Sequence, residues 1–328
     1  MKMHISRIYR FIKSIAINKI KIRRRIIYAK INQENFGSNR RIIDSILFFN
    51  ELDLLELRFN ILNNYVDYFV ISESTKTHSG KLKPLYYYEN KDRFKQFNNK
   101  IIHNIIDYED DEISNISTRN RFHTKLDDID VNSGLKFSEI SIGYLRSLFE
   151  RDCTVYGLLQ IQPKLNESDI IISSDADEII NPELLQRISW VDPSKLYVCL
   201  QNAYFYKLNY LYYNKWRGSR VTSWEMIKRT GVNNLRDQSN SKAIPVKNGG
   251  WHWSWLGDSI NFREKMLAQS EEESATETNL SQIEDRISKG LDPIGRPTQL
   301  KSVPIDESFP KYLLANINRY RKFVQPWE

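Results

Sequence analysis

Thiol chemistry is nearly absent from this chain of 328 residues, which has two cysteines, Cys153 and Cys199, and no C-x-x-C spacing. That scarcity argues against a zinc knuckle and a disulfide scaffold, and the pair suits free thiols in a reducing compartment. No run of about 18 apolar residues occurs, so no transmembrane helix is expected. The amino terminus also lacks the apolar core and small-residue cleavage site of a secretory signal. Together these absences predict a cytoplasmic protein. Histidine is scarce, with five in all. Two-metal phosphohydrolases and nucleases gather many carboxylate and imidazole ligands, so their chemistry is poorly provided for. No internal repeat is present.

Acidic residues are missing from residues 1–30, which hold ten Lys or Arg. The rest of the chain carries 38 basic and 41 acidic residues, so the net charge of +7 belongs to this arm and the body is close to neutral. Ile5, Ile8, Phe11, Ile12 and Ile15 recur in the arm at helical spacing among Lys and Arg. The pattern suits a helix lying on an anionic membrane surface. A helix packed on the body by its Ile face is the alternative, and nucleic acid is not the expected partner. The predicted organisation is a basic amphipathic arm over 1–36 and one domain over 37–328.

The body reads as strands alternating with helices. Residues 41–49 (RIIDSILFF) form an apolar strand, 51–64 (ELDLLELRFNILNN) an amphipathic helix, 67–72 a second strand and 101–106 a further one. A short strand is expected over 84–88, a loop over 107–134 and a long helix over 137–165. Residues 169–173 (DIIIS) read as a buried central strand. Strands are expected over 195–213 and 220–230, helices over 259–290 and a last helix over 310–324. This order implies an α/β fold with a mostly parallel sheet flanked by helices and a strand-rich second half.

The strongest local signal is 169–180, DIIISSDADEII, where a buried strand runs into Asp175, Asp177 and Glu178. Open α/β sheets bind ligands beyond the carboxyl ends of their strands. Residues two apart in an extended stretch point the same way, so Asp175 and Asp177 can share a cation. Hard carboxylate oxygens suit Mg²⁺ or Mn²⁺, which complete their shells with substrate phosphates. Such an ion stabilises a departing diphosphate. The alternative is an acidic turn that caps the helix starting at Asn181-Pro182.

Five ordered blocks carry a family resemblance: 51–59 (ELDLLELRF), 66–85 (VDYFVISESTKTHSGKLKPL), 169–179 (DIIISSDADEI), 250–255 (GWHWSW) and 310–314 (PKYLL). In these the chain resembles glycosyltransferase family 17. The resemblance implies a GT-A-like (Rossmann-like) fold, a UDP-sugar donor, a divalent cation and inversion at the anomeric carbon. It also implies transfer of N-acetylglucosamine or another hexose to a glycan or glycolipid acceptor. Asp175 and Asp177 match the family's D-x-D metal motif. Glu73, Thr77, His78, Gly80, Lys83 and Pro84 match the loop after the second strand, and Trp251 and His252 match a W-H pair. Family members commonly have Cys after that pair, where Trp253 stands here. The animal members begin with a membrane anchor, whereas a basic amphipathic arm is expected here.

His252 is thus a candidate third metal ligand, or a phosphate or acceptor contact; a core histidine is the plain alternative. Glu73, Thr77, His78, Lys83, Trp251 and Lys265 are candidates for donor and acceptor binding. Inversion needs a general base for the acceptor hydroxyl, and Glu178, Glu225 and Asp258 are the candidates. A metal-dependent phosphohydrolase or nuclease, or a non-catalytic glycan-binding protein of the same fold, is the competing reading. For the arm, deletion of residues 1–30 is expected to release the protein from anionic vesicles in a flotation assay; unchanged binding would refute the membrane role.

Overall fold

The computed structural model describes residues 40–110, 113, 141–236, 243–269, 275–292 and 294–326. The arm over 1–36 and most of the loop over 107–134 lie outside them. Ten strands make one mixed sheet: β1 Ile42–Phe48, β2 Tyr68–Ser74, β3 Ile101–Ile106, β4 Ile170–Asp175, β5 Glu178–Ile180, β6 Tyr197–Phe205, β7 Tyr210–Ser223, β8 Ile244–Val246, β9 Gly250–Ser254 and β10 Lys301–Ser302. Their order is β3-β2-β1-β4-β7-β6-β9-β5, with β10 on β7 and β8 on β6. The helices that matter for the site are α1 Leu52–Leu62, α2 Tyr86–Glu89, α3 Ile142–Leu159, α4 Pro182–Leu185, α5 Trp224–Thr230, α6 Val232–Arg236 and α7 Ser259–Ala268. Among the described residues, no helix is long and apolar enough to cross a membrane.

Strands β3, β2, β1 and β4 run parallel, as the alternation of apolar runs and helices implies. At β7 the sheet turns antiparallel, and this begins the strand-rich second half. The architecture is compatible with a GT-A-like fold. Side chains alternate across the sheet. Ile42, Ile46, Phe69, Ile71, Ile170 and Ile172 join the core that contains α1. Ile43, Val70 and Ile171 pack on the other face with α3, α5 and α6. Helix α3 lies so close to the sheet that a Cβ on Gly157 would stand 2.4 Å from Val70 Cγ1.

Several expected elements differ, and the last helix expected over 310–324 is broken at Asn316 into an α-helix Lys311–Ala315 and a 3-10 helix Ile317–Phe323. Residues 84–88 do not form a strand; α2 begins there because the Glu73 carboxylate accepts the Tyr87 N–H at 3.0 Å. Residues 224–230 form α5 rather than a strand, since the Ser223 side chain accepts the Met226 N–H and caps a helix. The long helix is shorter than 137–165, opening at Ser141, which caps α3 by accepting the Tyr144 N–H.

One charged pair crosses the core. Asp44 on β1 and Arg58 on α1 have wholly inaccessible side chains. Arg58 donates to both Asp44 oxygens, at 2.7 and 2.6 Å. The same guanidinium donates to Ser174 Oγ at 2.5 Å and to the carbonyls of Asp175, Ala176 and Glu178 at 3.2, 3.3 and 2.9 Å. The turn after β4 is therefore wrapped around a buried cation. Removing one partner of such a pair costs about 3–5 kcal/mol.

Two predictions follow from this packing. Arg58→Ala should lower stability by about that amount in urea unfolding, because Asp44 is left buried without a partner. A double Asp44→Leu/Arg58→Met variant should regain much of the loss while the 175–178 turn loses its template. A second effect concerns pH. Burial pushes the Asp152 carboxyl on α3 up from 3.8 to about 6, against opposing hydrogen bonds from Asn233. A folded-state pKa above the unfolded value gives stability that is full below about pH 4 and lost as pH rises through about 6, by about 3 kcal/mol. Asp152→Asn should flatten that slope in thermal melts between pH 4 and 7.

Candidate active site

The chain passes from β1 to β2 and β3 on one side, then returns to β4 on the other side of β1. Such a switch point opens a crevice at the carboxyl ends of the strands. Leu47 pairs with Asp175 and Phe48 with Glu73, so the ends of β1, β2 and β4 lie side by side. Glu51 follows β1, the 75–84 loop follows β2 and Asp175 ends β4.

Each carboxylate in the crevice has a cationic partner, and two of the cations are shared. Asp175 accepts from Arg236 at 2.8 Å and lies 3.7 Å from Arg151, with 37% of its side chain exposed. Glu178 accepts from Arg236 at 2.6 Å and from the Trp216 indole at 3.1 Å. Asp177 lies 3.3 Å from Lys265 and 3.5 Å from His252 Nε2. Lys265 also donates to Glu51 at 3.0 Å. His252 stacks on Trp216 with ring centroids 4.6 Å apart. The His252 Nδ1 atom is buried without a hydrogen-bond partner among the described residues.

These contacts set the ionisation of the group. Burial opposes charge on Asp175 and Asp177. Arg236 and Arg151 overcome it for Asp175, and Lys265 and His252 for Asp177, so both carboxyls sit below the usual carboxylate range. Burial likewise disfavours the Lys265 ammonium and the Arg236 guanidinium. Glu51 and Asp177 around the first, and Asp175 and Glu178 around the second, raise both above their ordinary values. Four carboxylates thus face three permanent cations.

The donor set fits a hard divalent cation in part. Asp175 and Asp177 offer oxygens at the mouth of the crevice, and His252 sits on Asp177. Among the described residues no three ligating side chains come close enough to hold an ion alone. An ion here would draw its remaining ligands from phosphate and water.

The other sequence candidates fall in three places. The loop after β2 is tied to itself and to α3. Thr77 Oγ1 accepts the Lys81 N–H, His78 Nε2 lies 3.1 Å from Glu150, and Arg146 donates to the His78 carbonyl. Gly80 adopts φ 87° against the Arg146 guanidinium, where a Cβ would lie 2.7 Å away. Glu73 is fully buried, engaged by His103 at 3.0 Å and by α2, so it supports the loop rather than facing ligand. Lys83 lies 3.7 Å from Glu73, with the Phe49 and Tyr86 rings 5.6 and 5.3 Å from its Nζ, and burial lowers its pKa.

Asp258 caps α7 by accepting the Ile260 and Asn261 N–H groups, both on Oδ1. It lines a cavity of about 420 Å³ with Glu51, Trp255 and Lys265, beside the acid cluster. Glu178 is nearly inaccessible and closed off by Arg236 and Trp216. Glu225 lies at the opposite end of β4: its N–H donates to the Glu167 carbonyl, before the strand begins, so it does not meet Asp175. Trp251 faces away from the acids and donates to the Ser308 carbonyl. Sequence reasoning missed Asp44, Arg151, Trp216 and Arg236, and gave Glu51 and Arg58 no site role. The one available signal was a charge inside each apolar stretch, Asp44 in IIDSILF and Arg58 in LDLLELRFNIL.

Glycosyltransferase family 17 matches this chain over residues 29–152 and 144–296. Beta-1,4-mannosyl-glycoprotein 4-beta-N-acetylglucosaminyltransferase of Rattus norvegicus is 23% identical over 323 residues, covering 87% of this chain and 55% of that protein. The proteins of the same name from Mus musculus and Homo sapiens are also 23% identical, covering 87% and 86% of this chain and 55% and 54% of theirs. The chain spans about half the length of the curated relatives it matches. Because the match runs from before β1 to beyond the crevice and takes in its acid turn, its β2 loop and β9, the chain belongs to glycosyltransferase family 17.

Proposed function

We propose that this chain is a metal-dependent, inverting glycosyltransferase that moves N-acetylglucosamine or another hexose from a UDP-sugar to a glycan or glycolipid acceptor. The observation that carries the reading is the pair Asp175 and Asp177 at the sheet's switch point, beside a cavity that holds a further carboxylate, Asp258. The relatives' printed name supports N-acetylglucosamine as the sugar.

Asp175 and Asp177 would hold Mg²⁺ or Mn²⁺ together with the donor diphosphate. Bound there, the ion would supply Lewis-acid stabilisation of the charge that builds on the leaving diphosphate. A divalent cation and a diphosphate carrying two negative charges enter as a neutral pair, which suits a crevice already near balance. Lys265, fixed between Glu51 and Asp177, offers an ammonium to the same phosphate oxygens. Arg236 keeps Asp175 ionised and holds Glu178 in place.

Asp258 serves as the general base. Its capping bonds both use Oδ1, so Oδ2 is available to the acceptor hydroxyl in the 420 Å³ cavity. It takes that proton as the hydroxyl oxygen attacks the anomeric carbon from the side opposite the diphosphate. Glu178 supports the turn through Arg236 and Trp216 and has no part in proton transfer.

The test is donor binding and turnover across a panel of nucleotide sugars, with Mn²⁺ or with chelator. One UDP-sugar should turn over only with metal, and Asp175→Ala/Asp177→Ala should abolish it. Asp258→Asn should retain donor binding yet reduce transfer by roughly a hundred- to ten-thousand-fold. Failure of every donor to bind, with or without metal, would overturn the reading.

A further inference from the structure

Behind the acid cluster lies a second, larger cavity of about 690 Å³. Strands β5 and β9 separate the two. His252 pairs with Glu178 and reaches Asp177, whereas Trp251 pairs with Ile179 and turns to the opposite face, where it lines this cavity. The separation is thin. Gly250 holds φ 120°, and a Cβ there would stand 2.1 Å from the Ile179 carbonyl, so only glycine lets β9 lie this close to β5.

The lining has an unusual chemistry. Seven of its 22 residues are Asn or Gln. Asn60 and Asn181 are used internally, bonding the Glu56 carbonyl and the Glu183 N–H. Asn64, Asn214 and Asn248 are exposed, and among the described residues their carboxamides have no protein partner. Each carboxamide offers two donors and an acceptor in one plane, which matches vicinal hydroxyl groups. Half-buried Tyr65 and Tyr312 add aromatic surface with a polar tip, the kind that packs on a sugar ring. Three lysines and two glutamates nearly cancel, so the cavity has no strong field for an anion. Its volume lies within the roughly 300–1,000 Å³ of ligand sites.

We propose that this cavity is a carbohydrate subsite that takes a neutral oligosaccharide, a remote arm of the acceptor. Only the word acceptor rests on the transferase reading above; recognition by carboxamides and aromatic rings stands without it. Two of the blocks that mark the family, 250–255 and 310–314, contribute Gly250, Trp251, Pro310, Lys311 and Tyr312 to its walls.

The experiment is retention of the full chain on an immobilised panel of neutral oligosaccharides built from hexose and N-acetylhexosamine units, with sialylated and sulfated members as controls. Wild type should bind at least one neutral member. Asp175→Ala/Asp177→Ala should bind it within about twofold of wild type. Asn64→Ala/Asn214→Ala/Asn248→Gly should weaken it about tenfold or more, the loss of one or two hydrogen bonds. These positions are exposed and Gly suits the φ of 52° at Asn248, so the thermal midpoint of that variant should match wild type. Tyr65→Ala supplies an independent second variant with the same expectation for glycan retention. The proposal is overturned if no neutral member is retained, if only anionic members are, if the asparagine variant binds as wild type does, or if the aspartate variant loses binding. Glycan retention without turnover of any nucleotide sugar would fell the transferase reading and leave the subsite standing.

Discussion

The Arg58 guanidinium is the point on which the crevice depends. Its charge is neutralised by Asp44 from the neighbouring strand, and its remaining donors reach three carbonyls of the turn that follows β4. Backbone carbonyls normally find partners in a helix or a sheet ladder. Here a side chain substitutes for both, so the turn can leave regular structure while staying fixed. That lets Asp175 and Asp177 stand at the edge of the sheet without a long, loose loop. The arrangement also links stability to geometry. The pair is buried at a desolvation cost, and a hydrophobic replacement restores packing energy but cannot restore the turn.

Around that template the charges are shared out rather than stacked. Arg236 bridges Asp175 and Glu178, while Lys265 bridges Asp177 and Glu51. Each cation thereby holds a carboxylate of the acid turn and a second acid, and Asp175 and Asp177 stay ionised in a partly dry crevice. The β2 loop works differently. Thr77, Gly80 and Glu73 spend their bonding groups on the loop, α2 and α3, so its part is to build the wall.

Much of the sheet was legible in the sequence because β1, β2, β3 and β4 are apolar runs bounded by polar residues. The acid turn was legible because its three carboxylates are local. Helix α2 was not, because its start depends on Glu73, which lies 14 residues from Tyr87. The partners of the acids were not either: Arg236 is 61 residues from Asp175 and Lys265 is 88 from Asp177, and no periodic pattern announces such pairs. Glu225 shows the opposite failure. An acid near a strand looks like a site residue until the strand's direction is known, and β7, antiparallel to β4, carries it to the wrong end.

The ribbon of β5 and β9 divides the protein into parts that tolerate change unequally. On one side the acids, Arg58 and Arg236 are interlocked, and an alteration to any of them disturbs several others. On the other side Asn64, Asn214 and Asn248 are exposed positions where replacement costs the fold little. Change can accumulate at those three positions while the interlocked side stays constant. A lineage built on this scaffold is free to drift in what it grips without reinventing what it does.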